Sequence, residues 1–250
     1  MMDQAKFPRA RMLGHRARIG YTSPPLTAEI FPYEFYKVAP AGVTLVITTL
    51  AVSELNKAEI DQSYAMSMKA AHAMVEAGVD AVVFGGVPIN LSRGEQDTRT
   101  IVAELEAELK VPVSTSASAQ EKAIRTLSCR KVVIAHGYDD SQSARQSGYA
   151  KKFGCEVLAV AGWGATLPNF GRVPRDAALE MGRQLLRTHR DADAILFPSP
   201  HWPTIEAIEP LEREFGVNVV TASQAAIWDG LRIAGVGDPI AAYGRLLREF

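Results

Sequence analysis

Cysteine is scarce: Cys129 and Cys155 are the only two in a chain of 250 residues. Two thiols make no disulfide framework, and their spacing matches no metal-binding pattern. Histidine is also sparse, with five residues, and no pair of His, Cys or carboxylates has ligand spacing, so no metal is expected. No apolar run approaches the ~18–20 residues needed to span a bilayer, which argues against a membrane protein. The basic opening stretch MMDQAKFPRARMLGHRARIG lacks the apolar segment of a secretory signal. Neither sign of charge dominates. A net charge of −1 without a basic stripe argues against nucleic acid as partner. The segment GGVPINLSRG contains glycines but fits neither the P-loop nor the dinucleotide fingerprint. These absences point to a cytoplasmic protein with reduced thiols whose partner is a small molecule. A homo-oligomer is compatible with them.

What is present is an alternation of short apolar runs with helical patterns along the whole length, the signature of βαβ units and parallel sheet. The runs are ARIGYT (17–22), VTLVITTL (43–50), DAVVFGG (80–86), VPVSTS (111–116), KVVIAHG (131–137), CEVLAVAG (155–162), DAILFPS (193–199) and VNVVTAS (217–223). Helices such as QSYAMSMKAAHAMVEAG and RDAALEMGRQLLRTH lie between them, with apolar residues at three- and four-residue spacing. The two sets of four runs align as copies. VDAVVFGG answers ADAILFPS, placing Asp80 against Asp193, and LEAELKVPVSTSAS answers LEREFGVNVVTASQ, placing Leu105 against Leu211. The expectation is an α/β fold of two pseudo-symmetric four-stranded parallel units. Residues 1–127 would form the first and 128–227 the second, with a C-terminal helix, 228–250, packing back on the first.

Open parallel sheets bind ligands beyond the carboxyl ends of their strands. Two facing units would therefore share one cleft, with Gly86 and Ser199 at equivalent places after the third strand of each. The strand ends offer Thr22, Ser23 and Pro24; Gly86, Val87, Pro88, Ile89 and Asn90; Ser116 and Ser118. From the second unit come His136, Gly137 and Tyr138; Trp163; Ser199, Pro200, His201 and Trp202; Thr221 and Ser223. Carboxylates are missing from every strand end, which disfavours paired-acid glycosidase chemistry. Hydroxyls and backbone N–H groups suit an anionic substrate. Each side chain has a plainer reading. Ser199 could cap the following helix, although Thr204 is better placed to do so. His201 is either a general base or a satisfied loop histidine, and His136 either a base or a hydrogen-bonded core histidine. Trp202 reads as a pocket wall. Tyr138 is a substrate donor or an aromatic at a helix cap.

From RIGYTSPP onward the chain resembles the aspartate/glutamate racemase superfamily, and within it the arylmalonate decarboxylase and maleate cis-trans isomerase branch. The likeness is best in DAVVFGGVPINLSRG, VVIAHGYDD, ILFPSPHWPTIEAIEPLEREFGVNVVTASQAAIWDGLRIAG and the closing YGRLL. The resemblance implies a cofactor-independent enzyme acting on a small carboxylate through an enolate or carbanion. In that superfamily the racemases and the isomerase carry a cysteine after each third strand; the decarboxylase keeps the second and has glycine first. Here Gly86 matches the decarboxylase and Ser199 replaces the cysteine. Val87 and Pro88 stand where the decarboxylase has a hydroxyl pair that holds a carboxylate, and Tyr138 matches its carboxylate-binding tyrosine.

A thiol, with pKa ~8.5, is suited to passing a proton to carbon near neutral pH; a serine hydroxyl is a far weaker acid and needs a neighbour. Three functions follow. The first is a decarboxylase or isomerase in which Ser199 is helped by His201 or His136, with Ser23, Gly86, Val87, Asn90, Tyr138, Pro200 and Trp202 around the substrate. The second is a serine-dependent hydrolase built on Ser199 and a histidine. The third is a carboxylate-binding protein without catalysis.

Overall fold

The computed structural model describes residues 8–25, 28–52, 57–86 and 98–250. Val87 and Asn90, expected at the site, lie outside the described residues, as does Pro88.

Among the described residues eight strands form two sheets of the same order. The first contains β1 (Ala17–Pro25), β2 (Val43–Val52), β3 (Ala81–Phe84) and β4 (Val113–Thr115), arranged β2-β1-β3-β4. The second contains β5 (Lys131–His136), β6 (Glu156–Gly162), β7 (Ala194–Phe197) and β8 (Asn218–Thr221), arranged β6-β5-β7-β8. Every pairing is parallel. The third strands, AVVF and AILF, are buried throughout, as expected of a parallel sheet covered on both faces.

The repeat extends to individual atoms. Asp80, just before β3, accepts from Arg18 N (2.8 Å) at the start of β1. Asp193, just before β7, accepts from Arg130 N (2.9 Å) and Lys131 N (3.1 Å) at the start of β5. Each carboxylate pins the amino end of the neighbouring strand, and each aligned leucine, Leu105 and Leu211, is fully buried.

Nine helices are present among the described residues. In the first unit α1 (Ile30–Val38), α2 (Lys57–Glu76), α3 (Thr98–Leu109) and α4 (Ser116–Thr126) follow the strands. In the second they are α5 (Ser143–Lys152), α6 (Ala177–Thr188), α7 (Ile208–Phe215), α8 (Ala222–Ile233) and the short α9 (Arg245–Glu249). The fourth strand of each unit ends earlier than its apolar run suggests. Thr115 and Thr221 are helix N-caps, each closing a capping box with the residue three positions on, Ser118 and Gln224. Serine and threonine satisfy the free N–H groups of a first turn better than they extend a strand. Ser118 and Thr221 are thus occupied as caps.

The helices after β4 and β8 lock the units together. α8 lies on β1, β3 and β4 of the first sheet and against α1 and α4, while α4 touches β8. A single apolar core therefore runs from Ile19 and Phe35 in the first unit to Ile134 and Leu231 in the second. Beyond Ile233 the contacts divide: Asp238 pairs with Arg16 just before β1, while α9 rests on α8 and β8. Glu212 caps it by accepting from Arg245 N (3.1 and 3.0 Å), and the Arg245 guanidinium reaches Asn218 Oδ1 (2.8 Å). The return to the first sheet thus belongs to residues 222–233, and 245–249 stay with the second.

Candidate active site

The carboxyl ends of β1, β3, β5 and β7 converge where the units meet. Gly86 continues from β3 and donates its N–H to Ser116 Oγ (2.9 Å). From the other unit, Pro198 and Pro200 enter the same cavity, which Ser116, Ala117, Gln120, Gln146 and Tyr149 also line. Ser199 sits between the two prolines, 1% exposed, in a tight turn closed by Trp202 N to Ser199 O (3.2 Å). Its hydroxyl oxygen accepts from Gly137 N at 3.3 Å.

Neither histidine is hydrogen-bonded to Ser199. His136, wholly buried, pairs Nε2 with Ser143 Oγ (3.0 Å), so it is in part the hydrogen-bonded core histidine. Burial holds its pKa below the ordinary value, against the opposing pull of Asp140 and Asp139. His201 is buried as well, and burial alone brings its pKa down to about 4, so the ring is neutral at pH 7. Tyr138 packs edge-on against Phe170, with centroids 5.1 Å apart. Burial lifts its phenol to about 12, which keeps the hydroxyl protonated as a donor. Trp202 is 0% exposed and packs on Phe197 at 5.8 Å between centroids, so it belongs to the core beneath the loop and not to the cavity lining. Thr204 precedes the short helix 205–207, yet its side chain makes no cap bond. The free N–H groups there are taken by Glu34 of the first unit, through Thr204 N (2.7 Å) and Ile205 N (2.8 Å).

Among the described residues, six buried side-chain atoms have no hydrogen-bond partner within the protein: Tyr21 Oη, Thr22 Oγ1, Ser23 Oγ, His136 Nδ1, His201 Nε2 and Trp202 Nε1. All belong to the end of β1, the end of β5 or the turn after β7. Buried polar atoms are nearly always paired, and leaving one unpaired costs ~1–3 kcal/mol. The six residues are 0–6% exposed and stand behind the cavity wall, where the strand ends of the two units meet.

The sequence alone gives no direct signal for Tyr21, Glu34, Gln146 and Tyr149. Tyr21 reads as an ordinary apolar position of β1; it stacks on Phe31 (3.6 Å between centroids), and its phenol is raised by burial. A glycine is the available clue. A Cβ on Gly85 would strike both the Tyr21 hydroxyl and the Thr22 carbonyl oxygen, so the FGG doublet makes room for the phenol. Gly85→Ala is expected to cost about 2–3 kcal/mol, lowering the thermal midpoint by about 5–10 °C. Gly148→Ala, in α5 where an added methyl meets nothing within 4 Å, should leave the midpoint unchanged or raise it. Circular dichroism melts of the two variants make the comparison; equal midpoints would show that Tyr21 gives way freely.

This arrangement of two equivalent units around one cleft is shared with known proteins. Residues 19–247 match the family model described as arylmalonate decarboxylase. The chain belongs to the arylmalonate decarboxylase family. Arylmalonate decarboxylase of Bordetella bronchiseptica is 25% identical over 237 residues, covering 92% of this chain and 96% of the relative. The fold is also that of solved structures. A liganded double mutant of arylmalonate decarboxylase superposes with a TM-score of 0.84 at 23% identity, over 94% of this chain and 100% of that one. The maleate isomerase Iso of Pseudomonas putida S16, a mutant with maleate, gives a TM-score of 0.82 at 20% identity, over 93% and 97%. Family membership supports decarboxylase or isomerase activity.

The cysteines lie elsewhere. Cys129 and Cys155 are buried, just before β5 and β6, at the end of the second sheet opposite the cleft. Burial pushes the Cys129 thiol up to about 12. Among the described residues no group of three His, Cys, Asp or Glu is placed to hold a metal ion, and no helix is long and apolar enough to cross a membrane.

Proposed function

We propose that this family member is a cofactor-independent decarboxylase of small malonate-type dicarboxylates, with Ser199 in the place of the proton-donating cysteine. The observation that carries the reading is the set of unpartnered buried donors and acceptors at the strand ends behind the cavity wall, contributed by both units. One substrate carboxylate is retained by hydroxyl donors, Tyr138 from the second unit and Ser23 from the first, beside the backbone of Gly86. The other carboxylate leaves as CO2, and the electron pair of the broken C–C bond passes into the retained carboxylate to give an enediolate. Fixed donors in a water-poor cleft stabilise that charge as it forms. The Ser199 hydroxyl, whose oxygen is already engaged by Gly137 N, then gives its proton to carbon. Its replacement comes from solvent; His201 and His136, neither hydrogen-bonded to Ser199, are the titratable groups at the neighbouring strand ends. Pro200 shapes the cavity wall, and Trp202 supports the turn from below.

Decarboxylation is favoured over isomerisation because rotating a C=C bond needs a nucleophile that adds and leaves. The two thiols of the chain are buried at the far end of the second sheet, and a serine without a hydrogen-bonded base is a poor substitute. The same missing Ser–His bond weighs against a hydrolase.

The test uses 2-methyl-2-phenylmalonate with purified protein in D2O. Expected are CO2 release and one deuterium at the α-carbon of a single product enantiomer, unchanged after exhaustive dialysis against a chelator. Conversion of maleate to fumarate without CO2 release from the malonate would overturn the reading in favour of the isomerase.

A further inference from the structure

Helix α1 carries a carboxylate on its apolar face. Phe31, Glu34, Phe35 and Val38, at helical spacing, are all buried. A carboxylate there is stable only if it is hydrogen-bonded, and all three of its donors belong to the other unit. Glu34 Oε1 accepts from Thr204 N (2.7 Å) and Ile205 N (2.8 Å), and Oε2 accepts from the Ser223 hydroxyl in the first turn of α8. The nearby charges are spoken for: Glu206 is paired with Lys37 (3.1 Å) and Arg175 (2.6 Å).

The location of this contact gives it a consequence. The turn carrying Ser199 and His201 is held at two points. At one end Ser199 Oγ receives Gly137 N from its own unit. At the other, immediately after Pro203, Thr204 and Ile205 are held by Glu34 of the first unit. The facing wall, Gly86, also belongs to the first unit. The Glu34 contact therefore ties the far end of the turn to the unit that carries Gly86.

We propose that Glu34 is a positioning residue, an inter-unit clamp that holds the Ser199–Thr204 loop at its working distance from the first unit. The catalytic consequence rests on the decarboxylase reading; the clamp itself does not. Misplacing a reacting group by about 1 Å costs on the order of 10²-fold in rate, so the clamp should show in kcat more than in KM.

The test compares full-length wild type with Glu34→Ala, Glu34→Asp and Glu34→Gln. Hydrogen exchange is followed by mass spectrometry, alongside the kinetics of malonate decarboxylation. In Glu34→Ala, peptides covering residues 199–207 are expected to exchange at least ~10-fold faster, while peptides in β3 and β5 keep wild-type rates. In the same variant kcat should fall ~10–100-fold with KM changed less than ~3-fold. Glu34→Gln, whose amide oxygen still accepts both N–H groups and whose NH2 still reaches Ser223, should restore both readouts. Glu34→Asp, one methylene shorter, should resemble alanine and carries the test if the alanine variant does not fold. Wild-type exchange at 199–207 in folded Glu34→Ala or Glu34→Asp overturns the proposal, as does faster exchange spread evenly over the chain. If wild type proves inactive on the malonate, the decarboxylase reading falls while the exchange data still decide the clamp.

Discussion

Ser199→Ala is expected to lower malonate turnover by about 10²–10⁴-fold, the usual worth of a positioned proton donor, while leaving the fold intact. The side chain is 1% exposed, but its one hydrogen bond among the described residues is the 3.3 Å contact from Gly137 N. Removing it forfeits about 1 kcal/mol, a shift of a few degrees in thermal midpoint. Loss of rate with a near-normal melt therefore identifies chemistry and not collapse. Ser199→Cys sharpens the test. A thiol, with pKa ~8.5, is a better proton donor to a carbanion than a hydroxyl, so this variant should gain arylmalonate decarboxylation. The gain should be small, because Val87 and Pro88 still lack the hydroxyls of the decarboxylase, and larger once Val87→Thr and Pro88→Ser are added. Steady-state kinetics on 2-methyl-2-phenylmalonate, paired with circular dichroism, supply both readouts. A fully active Ser199→Ala enzyme would remove this residue from the mechanism and leave another catalyst in the cleft, whereas absence of turnover in the wild type would favour the binding-protein reading.

The second large effect is on stability against pH, where two buried groups are expected to oppose each other. Burial raises Glu34 from its ordinary 4.5 to about 7, despite the bonds from Ser223, Thr204 and Ile205. The folded protein then keeps a proton that the unfolded chain has released, so stability falls as pH rises from about 4.5 to 7. Burial lowers His201 from 6.5 to about 4. The unfolded chain there takes a proton that the fold refuses, so its contribution is complete above pH 6.5 and is lost as pH falls towards 4. Each displacement is worth about 3 kcal/mol at ~1.4 kcal/mol per pH unit. Their slopes nearly cancel in the wild type between pH 4.5 and 6.5, with His136, also lowered by burial, adding to the histidine side. Glu34→Gln removes the falling branch, and its stability should climb by about 3 kcal/mol from pH 4 to 6.5. His201→Asn removes the rising branch and should lose about 3 kcal/mol between pH 4.5 and 7. Urea unfolding at half-unit pH steps measures all three profiles. Parallel curves would show that neither group is held in the state its burial demands.

The duplicated architecture and the position of the cleft were legible in the amino-acid sequence. Strand burial and helix amphipathy are periodic and local, and two aligned copies report the same register twice. Asp80 and Asp193 align in sequence and do the same work on neighbouring strands; Gly86 and the Ser199 turn align and meet at one cavity. What only the tertiary structure decided are the partners across the units. Glu34 carries no signal in the sequence, yet it caps backbone groups 170 residues away, in place of the Thr204 hydroxyl that spacing favours. Trp202 reads as a pocket wall and is packed beneath it. Tyr21 turns its phenol into the space left by the missing Cβ of Gly85. The helix after β8 returns to the first sheet while the last turn of chain does not. Periodicity records which face of an element is buried; it carries no information on which distant element covers that face. Hydrogen-bond satisfaction, which assigns Glu34 and leaves the strand-end hydroxyls unpaired, depends on that three-dimensional neighbour alone.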